Sequence, residues 1–243
     1  MRSLKNLVEF YDELYPITES QRKFYAEMLK TYSMPAKVLR IGCGTGLFES
    51  NLAKEGYDVT GIDNAEELLA SANLRKRNQL MAIRFFQMNA AEMDRFLAKN
   101  FYNVISILND RICFYSTKKE LQEFFVLCKN LIAPGGQFVI QLTNFEGLPE
   151  KGLIQLPVRE SVRTKLFTEL SDSPSGARHI SLTIENGSGK LIPVIKDIPF
   201  YPLLPSEIEA FAEDAGFSIA EFYADFDKNQ FTGNEDSYIV IIK

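Results

Sequence analysis

The chain has 243 residues, 46% of them hydrophobic and 24% charged, which excludes collagen-like, disordered and disulfide-scaffold classes. The length suits one large domain, or one domain carrying an insertion, with a substantial core. A formal net charge of −5 supplies no general basic field for a polyanion, so a nucleic-acid partner is disfavoured. Cys43, Cys113 and Cys128 are too few and too scattered for a disulfide framework or a zinc site, and a reducing, cytoplasmic compartment is expected. The opening MRSLKNLVEFYDELY lacks the apolar centre of a signal peptide, and no run approaches the roughly 18 apolar residues of a membrane span. A single histidine, His179, argues against a Ser-His-Asp triad and a multi-histidine centre, so no metal is expected.

Residues 1–34 read as helical. Thr18 and Gln21 have capping-box spacing, and Phe24, Met28 and Leu29 follow at helical spacing. Lys37 to Ile41 is a short apolar run that reads as a buried strand. Leu47 to Lys54 reads as a helix stopped by Gly56, and Tyr57 to Ile62 as a second strand. Asn64 and Glu67 are placed to cap a helix carrying Leu68, Leu69 and Ala72. Strands are expected at Ile83 to Gln87 and Val104 to Leu108. Thr117 and Glu120 cap a helix through Phe124, Phe125, Cys128 and Leu131. Pro134-Gly135-Gly136 then turns the chain into a strand from Phe138 to Leu142. Strands alternating with helices from 37 to 145 predict an α/β fold with a doubly wound parallel sheet.

The pattern changes at 150–202, where Ile180, Leu182 and Ile184 alternate with polar residues and Asn186-Gly187-Ser188-Gly189 supplies a turn. This stretch reads as a small antiparallel β insertion in a parent domain made of 1–149 and 203–243. Beyond Pro205 the α/β pattern resumes. Ser206 and Glu209 have capping-box spacing, Gly216 stops the helix, and Phe217 to Tyr223 and Tyr238 to Ile242 read as closing strands.

The most informative stretch is Val38-Leu39-Arg40-Ile41-Gly42-Cys43-Gly44-Thr45-Gly46. A buried strand runs into a glycine-rich turn that opens a helix, where free N–H groups face a ligand. Asp63 stands at the next strand end, about 20 residues on, where a carboxylate can bind ribose hydroxyls. The combination points to a nucleoside cofactor. The spacing is G-x-G-x-G, not the G-x-G-x-x-G of dinucleotide sites, and no G-K-[ST] phosphate loop is present.

These words resemble the class I S-adenosylmethionine-dependent methyltransferases. Ile41-Gly42-Cys43-Gly44-Thr45-Gly46 is similar to their glycine motif, and Val59-Thr60-Gly61-Ile62-Asp63 to their second-strand motif. Asn89-Ala90-Ala91-Glu92 is similar to the segment lining the adenine, and Leu131 to Gly136 to the turn before their fifth strand. Tyr11-Asp12 with Tyr15-Pro16, Thr143-Asn144-Phe145, Phe200 to Pro205 and Tyr223 to Asp227 resemble a small-molecule branch similar to glycine and sarcosine N-methyltransferases. The resemblance implies a Rossmann-like sheet and S-adenosylmethionine as cofactor. It implies Arg40, Gly42, Cys43, Gly44, Gly46, Asp63, Asn64, Asn89, Ala90, Ala91 and Leu108 as its contacts. Three positions depart from the pattern. Arg40 stands where an acid is usual, Asn89 where Asp is frequent, and Tyr102-Asn103 where Phe-Asp is common.

Methyl transfer demands positioning and dryness more than a particular side chain. Ligands of open α/β sheets lie at the carboxyl ends of strands. Asn109, Asp110 and Tyr11 are the candidate catalytic residues, and Tyr15, Arg111, Asn144 and Arg159 the candidates for the acceptor. The insertion, with Arg159 and Arg163, is expected as a lid. Alternatives stand beside these. Asp110 suits a cap, Arg111 a surface ion pair, and Tyr11 and Tyr15 packing. His179 suits an exposed strand, Cys113 and Cys128 suit the core, and Arg75-Lys76-Arg77 a solvated face. The sequence has no [DN]-P-P-[YFW] of amino-methylating DNA enzymes and no Pro-Cys nucleophile. The expected function is methylation of a small molecule, nitrogen ahead of oxygen. The competing readings are a cofactor-binding protein without transfer and a protein or RNA methyltransferase. Oligomeric state stays open.

Overall fold

A computed structural model describes residues 4–76 and 80–243. The chain begins with three short helices in place of one helical stretch: α1 (Lys5–Val8), α2 (Tyr11–Leu14) and α3 (Glu19–Leu29). Thr18 caps α3 by accepting from Gln21 N at 3.1 Å. Strands β1 (Lys37–Ile41), β2 (Asp58–Asp63), β3 (Ile83–Gln87), β4 (Tyr102–Ile107) and β5 (Ile132–Thr143) follow. They alternate with α4 (Leu47–Lys54), α5 (Glu66–Arg75), α6 (Met93–Phe96) and α7 (Lys118–Leu131). Five short strands come next, β6 (Ile154–Gln155), β7 (Arg159–Glu160), β8 (Thr164–Asp172), β9 (Arg178–Asn186) and β10 (Leu191–Pro199). Helix α8 (Pro205–Asp214) and strands β11 (Ala220–Tyr223) and β12 (Ser237–Ile242) close the chain.

The main sheet has seven strands in the order β11-β12-β5-β4-β1-β2-β3. β1 to β5 are parallel, and β12 runs antiparallel to β5 and β11. The order reverses between β1 and β4, which opens a crevice at their carboxyl ends. β6 to β10 form a separate five-stranded antiparallel sheet. The expected α/β class with an antiparallel insertion is therefore the observed architecture. Among the described residues, no helix is long and apolar enough to cross a membrane.

Side chains of β1 alternate between the two faces. Val38 packs with Phe24, Tyr25 and Phe48 of α3 and α4, whereas Leu39 and Ile41 pack with the α7 and α8 side. α7 holds its place through a capping box at Thr117 and Glu120 and buries Leu121, Phe124, Phe125, Cys128 and Leu131 at helical spacing. Ile180, Leu182 and Ile184 of the second sheet join the core on the α7 side.

Several boundaries differ from those expected. α5 starts from Ala65, because the Asp63 carboxylate takes the Ala65 N–H at 2.9 Å; Asn64 makes no capping bond. β5 begins at Ile132, since the Pro134-Gly135-Gly136 turn is absorbed into the strand as a register shift against β4. α8 starts with Pro205 at its first turn, and Glu207 rather than Glu209 reaches back to Leu204 N. Of the cationic run, Lys76 pairs with Asp12 at 3.2 Å instead of standing free, and Arg77 lies outside the described residues.

Candidate active site

The glycine turn is fixed from below. Gly42 N and Cys43 N both donate to Ile62 O, at 2.8 and 3.1 Å, so the turn is stitched to the end of β2. Gly42, Gly44 and Gly46 have φ of 71°, 59° and 73°, left-handed values that L side chains rarely adopt. Asp63 links the turn to α5: one oxygen accepts from Gly44 N at 2.8 Å and the other from Ala65 N. Both oxygens keep a lone pair for a further donor.

Beside this turn lies a cleft of about 330 Å³. Gly42, Asp63, Asn64, Asn89, Ala90, Ala91 and Arg111 line it, so the structure brings these predicted residues together. Asn89 caps a short 3-10 turn through Ala91 N at 3.0 Å, which presents that segment to the cleft. The far wall comes from Tyr115, Glu120, Glu123 and Phe124, and Leu4 and Ile195 reach in from the chain start and the second sheet. The Tyr115 hydroxyl is buried there without a hydrogen-bond partner. A purine nucleoside fits this donor set: carboxylate for the ribose, amide and small apolar residues for the base, and an orphan hydroxyl.

Arg40 is a correction. Its side chain does not line the cleft. It follows Val38 onto the α4 face of β1, where Nη1 donates to Ile41 O at 2.9 Å and Ser106 O at 3.3 Å. Nε lies 3.5 Å from Glu49, and both side chains are almost inaccessible. Burial pushes the Glu49 carboxyl up to about 7, against the pull of Arg40. Cys43 and Leu108 are likewise core residues behind the turn, and burial raises the Cys43 thiol well above its ordinary range. Gly46 starts α4 against Phe85.

The acceptor candidates divide. Tyr11 lies over the turn, so close that a Cβ on Gly44 would overlap its ring. Its ring leans on Tyr15 at 4.8 Å, and burial pushes its hydroxyl up to about 12. Arg111 lays its stem on Gly42 and donates to the Tyr11 hydroxyl at 3.3 Å. Its guanidinium sits 5.9, 5.4 and 5.8 Å from the Tyr11, Tyr15 and Phe114 rings, and Arg159 sits 5.1 Å from Tyr15. Burial pulls the Arg111 pKa down, but Tyr11, Tyr15 and Asp63 outweigh it, so the group stays a cation.

Asn109 and Asp110 occupy consecutive left-handed positions at the end of β4, φ 57° and 59°. Asp110 spends its carboxylate on Thr143, accepting from N at 2.5 Å and from Oγ1 at 2.9 Å, the geometry of a clamp between strands β4 and β5. Asn144 also lies outside the cleft. It ties the loop after β5 to the one before β12 through Asp236 O and Gly233 O. Arg163 pairs with Glu13 and Glu9, and Asp12 accepts from Thr45, so α1 and α2 form a strap between the turn and the second sheet. The acidic anchors of that strap carried no motif that would single them out.

Known proteins place this geometry. The methyltransferase-domain family matches residues 38–136. A Geobacillus protein (strain WCH70) whose name assigns it to the methyltransferases is 31% identical over 49% of this chain and 47% of its own. The chain thus spans about half the length of the first curated relatives it matches. A glycine/sarcosine N-methyltransferase of Aphanothece halophytica is 21% identical over 99% of this chain and 89% of its own. The CcbJ methyltransferase of Streptomyces caelestis shares the fold at a TM-score of 0.78 and 19% identity, covering 98% of this chain and 95% of that one. An S-adenosylmethionine-dependent methyltransferase of Clostridium acetobutylicum does so at 0.78 and 15%, covering 98% and 97%. The glycine turn, Asp63 and the reversed strand order all lie within or beside the segment 38–136 that matches the methyltransferase-domain family, and the whole chain shares its fold with solved methyltransferases.

Proposed function

We propose that the protein transfers a methyl group from S-adenosylmethionine to a small molecule, with a nitrogen acceptor ahead of an oxygen one. One observation carries the reading: the nucleoside-fitting cleft runs without interruption from Asn89 and Asp63 to Arg111 at the β4 end, beneath the Tyr11–Tyr15 strap. Asp63 would hold the ribose, Asn64 and Asn89 to Ala91 the base, and the glycine turn the amino-acid part. The cofactor, when bound, supplies an electrophilic methyl on a sulfonium.

This chain's residues would orient and dry the acceptor. Holding its lone pair about 3 Å from the methyl, in line with the carbon–sulfur bond, provides most of what the reaction needs. The acceptor–carbon bond would form as the carbon–sulfur bond breaks, releasing S-adenosylhomocysteine, and the acceptor's proton would pass to water. Tyr11 and Asn109 are the side chains proposed beside the methyl. The sheet inserted over 150–202 would close the acceptor side as a lid.

Nitrogen is favoured because the glycine/sarcosine N-methyltransferase aligns over nearly the whole chain, whereas a ubiquinone biosynthesis O-methyltransferase of Pseudomonas aeruginosa aligns over 62% of it at 27% identity. Calorimetric titration with S-adenosylhomocysteine tests the site, and a screen of small amines, acids and phenols with labelled cofactor tests transfer. Micromolar binding with transfer to an amine is the expected result. A second reading, binding without transfer, is favoured by the Tyr11 ring lying over Gly44. Binding followed by no transfer to any acceptor class would select it.

A further inference from the structure

Behind the glycine turn lies a buried ion pair that the proposed reaction does not use. Glu49 stands in the first turn of α4, and neither of its carboxylate oxygens has a hydrogen-bond partner. Among the described residues, the cation within ion-pair distance is Arg40, whose Nε lies 3.5 Å away and is itself without a hydrogen bond. Nη1 of Arg40 is spent on Ile41 O and Ser106 O. A buried carboxylate with no donors and one poorly placed guanidinium is weakly held in its charged form.

The pair is close enough to the turn to be felt through it. Arg40 and Glu49 both act on the Cys43 thiol inside the turn, and Arg40 acts on the Tyr11 hydroxyl in front of it. The groups that face Glu49 are Arg40 of β1, Cys43 of the turn, Asp63 of β2, Asp12 of α2 and Tyr25 of α3. Burial pushes the Cys43 thiol and the Tyr25 hydroxyl up, so both stay neutral, and a guanidinium keeps its proton. Asp12 is tied to Thr45 and Lys76, and Asp63 to Gly44 N and Ala65 N. Burial places the Glu49 carboxyl at about 7. The pair therefore carries one positive charge when Glu49 is protonated and none when it is ionised.

The two nucleosides of the proposed reaction differ by that same unit. S-adenosylmethionine carries a sulfonium, an ammonium and a carboxylate, a net positive charge, whereas S-adenosylhomocysteine lacks the sulfonium. An unanswered cation behind the turn repels the first and is nearly indifferent to the second.

We infer that the Arg40–Glu49 pair is a proton-linked selector behind the cofactor site: ionised Glu49 favours S-adenosylmethionine over S-adenosylhomocysteine, and protonated Glu49 removes that advantage. The inference rests on the proposed methyltransferase reading and adds a control on its cofactor step. Neither side chain touches the cofactor; both act through the turn. S-adenosylmethionine binding to the protonated form expels the Glu49 proton to the buffer, and S-adenosylhomocysteine binding leaves it in place. Product inhibition accordingly deepens as pH falls.

Equilibrium binding reads this without turnover. The intact protein is titrated calorimetrically with each nucleoside at pH 5, 6, 7 and 7.5, in two buffers of different ionisation enthalpy so that protons are counted. The amino groups of both free nucleosides are protonated over most of that range. The expected result is that the ratio of S-adenosylmethionine to S-adenosylhomocysteine affinity rises by about three- to tenfold from pH 5 to 7.5, the scale of one unit charge across about 10 Å of partly desolvated protein. Near pH 7, S-adenosylmethionine releases more proton than S-adenosylhomocysteine does. Glu49→Gln keeps Arg40 unanswered and holds the ratio at its low-pH value throughout. Arg40→Met with Glu49→Met leaves no charge and holds the ratio at or above the wild-type value of pH 7.5. A merely structural role moves both affinities together and leaves their ratio alone. If Glu49→Gln does not fold, the double variant and the wild-type proton count decide. A flat ratio in wild type, or an equal rise in either variant, overturns the selector and leaves the methyltransferase reading standing. Failure of both nucleosides to bind overturns both.

Discussion

Two arginines bracket the glycine turn, and the molecule treats them in opposite ways. Behind the turn, Arg40 is 5% exposed, uses two backbone carbonyls and faces Glu49, which is 1% exposed. In front of it, Arg111 faces three aromatic rings and a tyrosine hydroxyl, with Asp63 across the cleft but no carboxylate within ion-pair distance among the described residues. A charge neutralised within the chain belongs to the fold, since desolvation would otherwise destabilise it. A charge left without an acid beside an open cleft is available to a ligand. The comparison ties Arg40 to stability and leaves Arg111 to the recognition role proposed for it, and each can be broken separately.

The largest expected effect is on stability. Arg40→Met strands the Glu49 carboxylate and is expected to lower unfolding free energy by about 3–5 kcal/mol. Adding Glu49→Met removes the stranded charge and recovers most of that loss, because a buried pair and its apolar replacement are often nearly equal. Arg111→Met is expected to stay within about 1 kcal/mol of wild type, the scale of a cation–π contact. Urea unfolding of the four proteins checks this. Equal losses at Arg40 and Arg111 would dissolve the contrast.

A second test concerns what covers the turn between them. Gly44 has φ +59° and sits under the Tyr11 ring. Gly44→Ala is expected to cost about 1–2 kcal/mol from the left-handed backbone alone. It also displaces Tyr11, so S-adenosylhomocysteine affinity should fall by about tenfold or more, the loss expected when a glycine needed for close approach gains a side chain. Adding Tyr11→Ala removes the overlap but not the backbone cost. Calorimetry on the single and double variants separates the two.

The glycine turn, Asp63 and Asn89 were legible in the sequence as one cluster because their signals are local. The turn, Asp63 and Asn89 each stand at a strand end, and a strand end in an α/β pattern is readable. Arg40 was misplaced among the cofactor contacts by the resemblance, although strand alternation puts it on the Val38 face of β1, which packs on α3 and α4. Its partner Glu49 was not legible, because that contact depends on how α4 docks on the sheet. Tyr11, Tyr15, Arg111 and Arg159 were named from the sequence and meet in the structure, but the contacts that hold that region were not legible, for the same reason on a larger scale. Arg163 meets Glu13 across 150 positions, and Ile195 and Leu4 meet in one cleft from opposite ends of the chain. No local pattern encodes such pairs. The start of β5 was misplaced because Pro134-Gly135-Gly136 has turn chemistry, yet the structure spends it on a register shift inside the strand.

A smaller effect sharpens the strand ends that carry Arg111. If Asp110 acts as a clamp, Asp110→Ala leaves the Thr143 N–H without its acceptor and should cost about 1–3 kcal/mol. Asp110→Asn retains an acceptor oxygen and should restore most stability and, in the acceptor screen, an unchanged pH–rate profile. A base at Asp110 predicts the reverse pattern: Asp110→Asn stable, but with activity and its acidic limb lost.

The last test is the dependence of stability on pH. Burial raises the Glu49 carboxyl from 4.5 to about 7, so the folded chain holds a proton there that the unfolded chain gives up. Its contribution is fully present below about pH 4.5 and is lost as pH rises through about 7. Between those values wild type should lose stability relative to Glu49→Gln by less than about 1.4 kcal/mol per pH unit, the limit set by one whole proton. Arg111→Met should keep the wild-type slope, because Glu49 pairs with Arg40 and not with Arg111. Parallel urea titrations at pH 5, 6, 7 and 8 measure both differences. A slope that followed Arg111 instead of Glu49 would place the titrating partner in front of the turn and reverse the assignment of the two arginines.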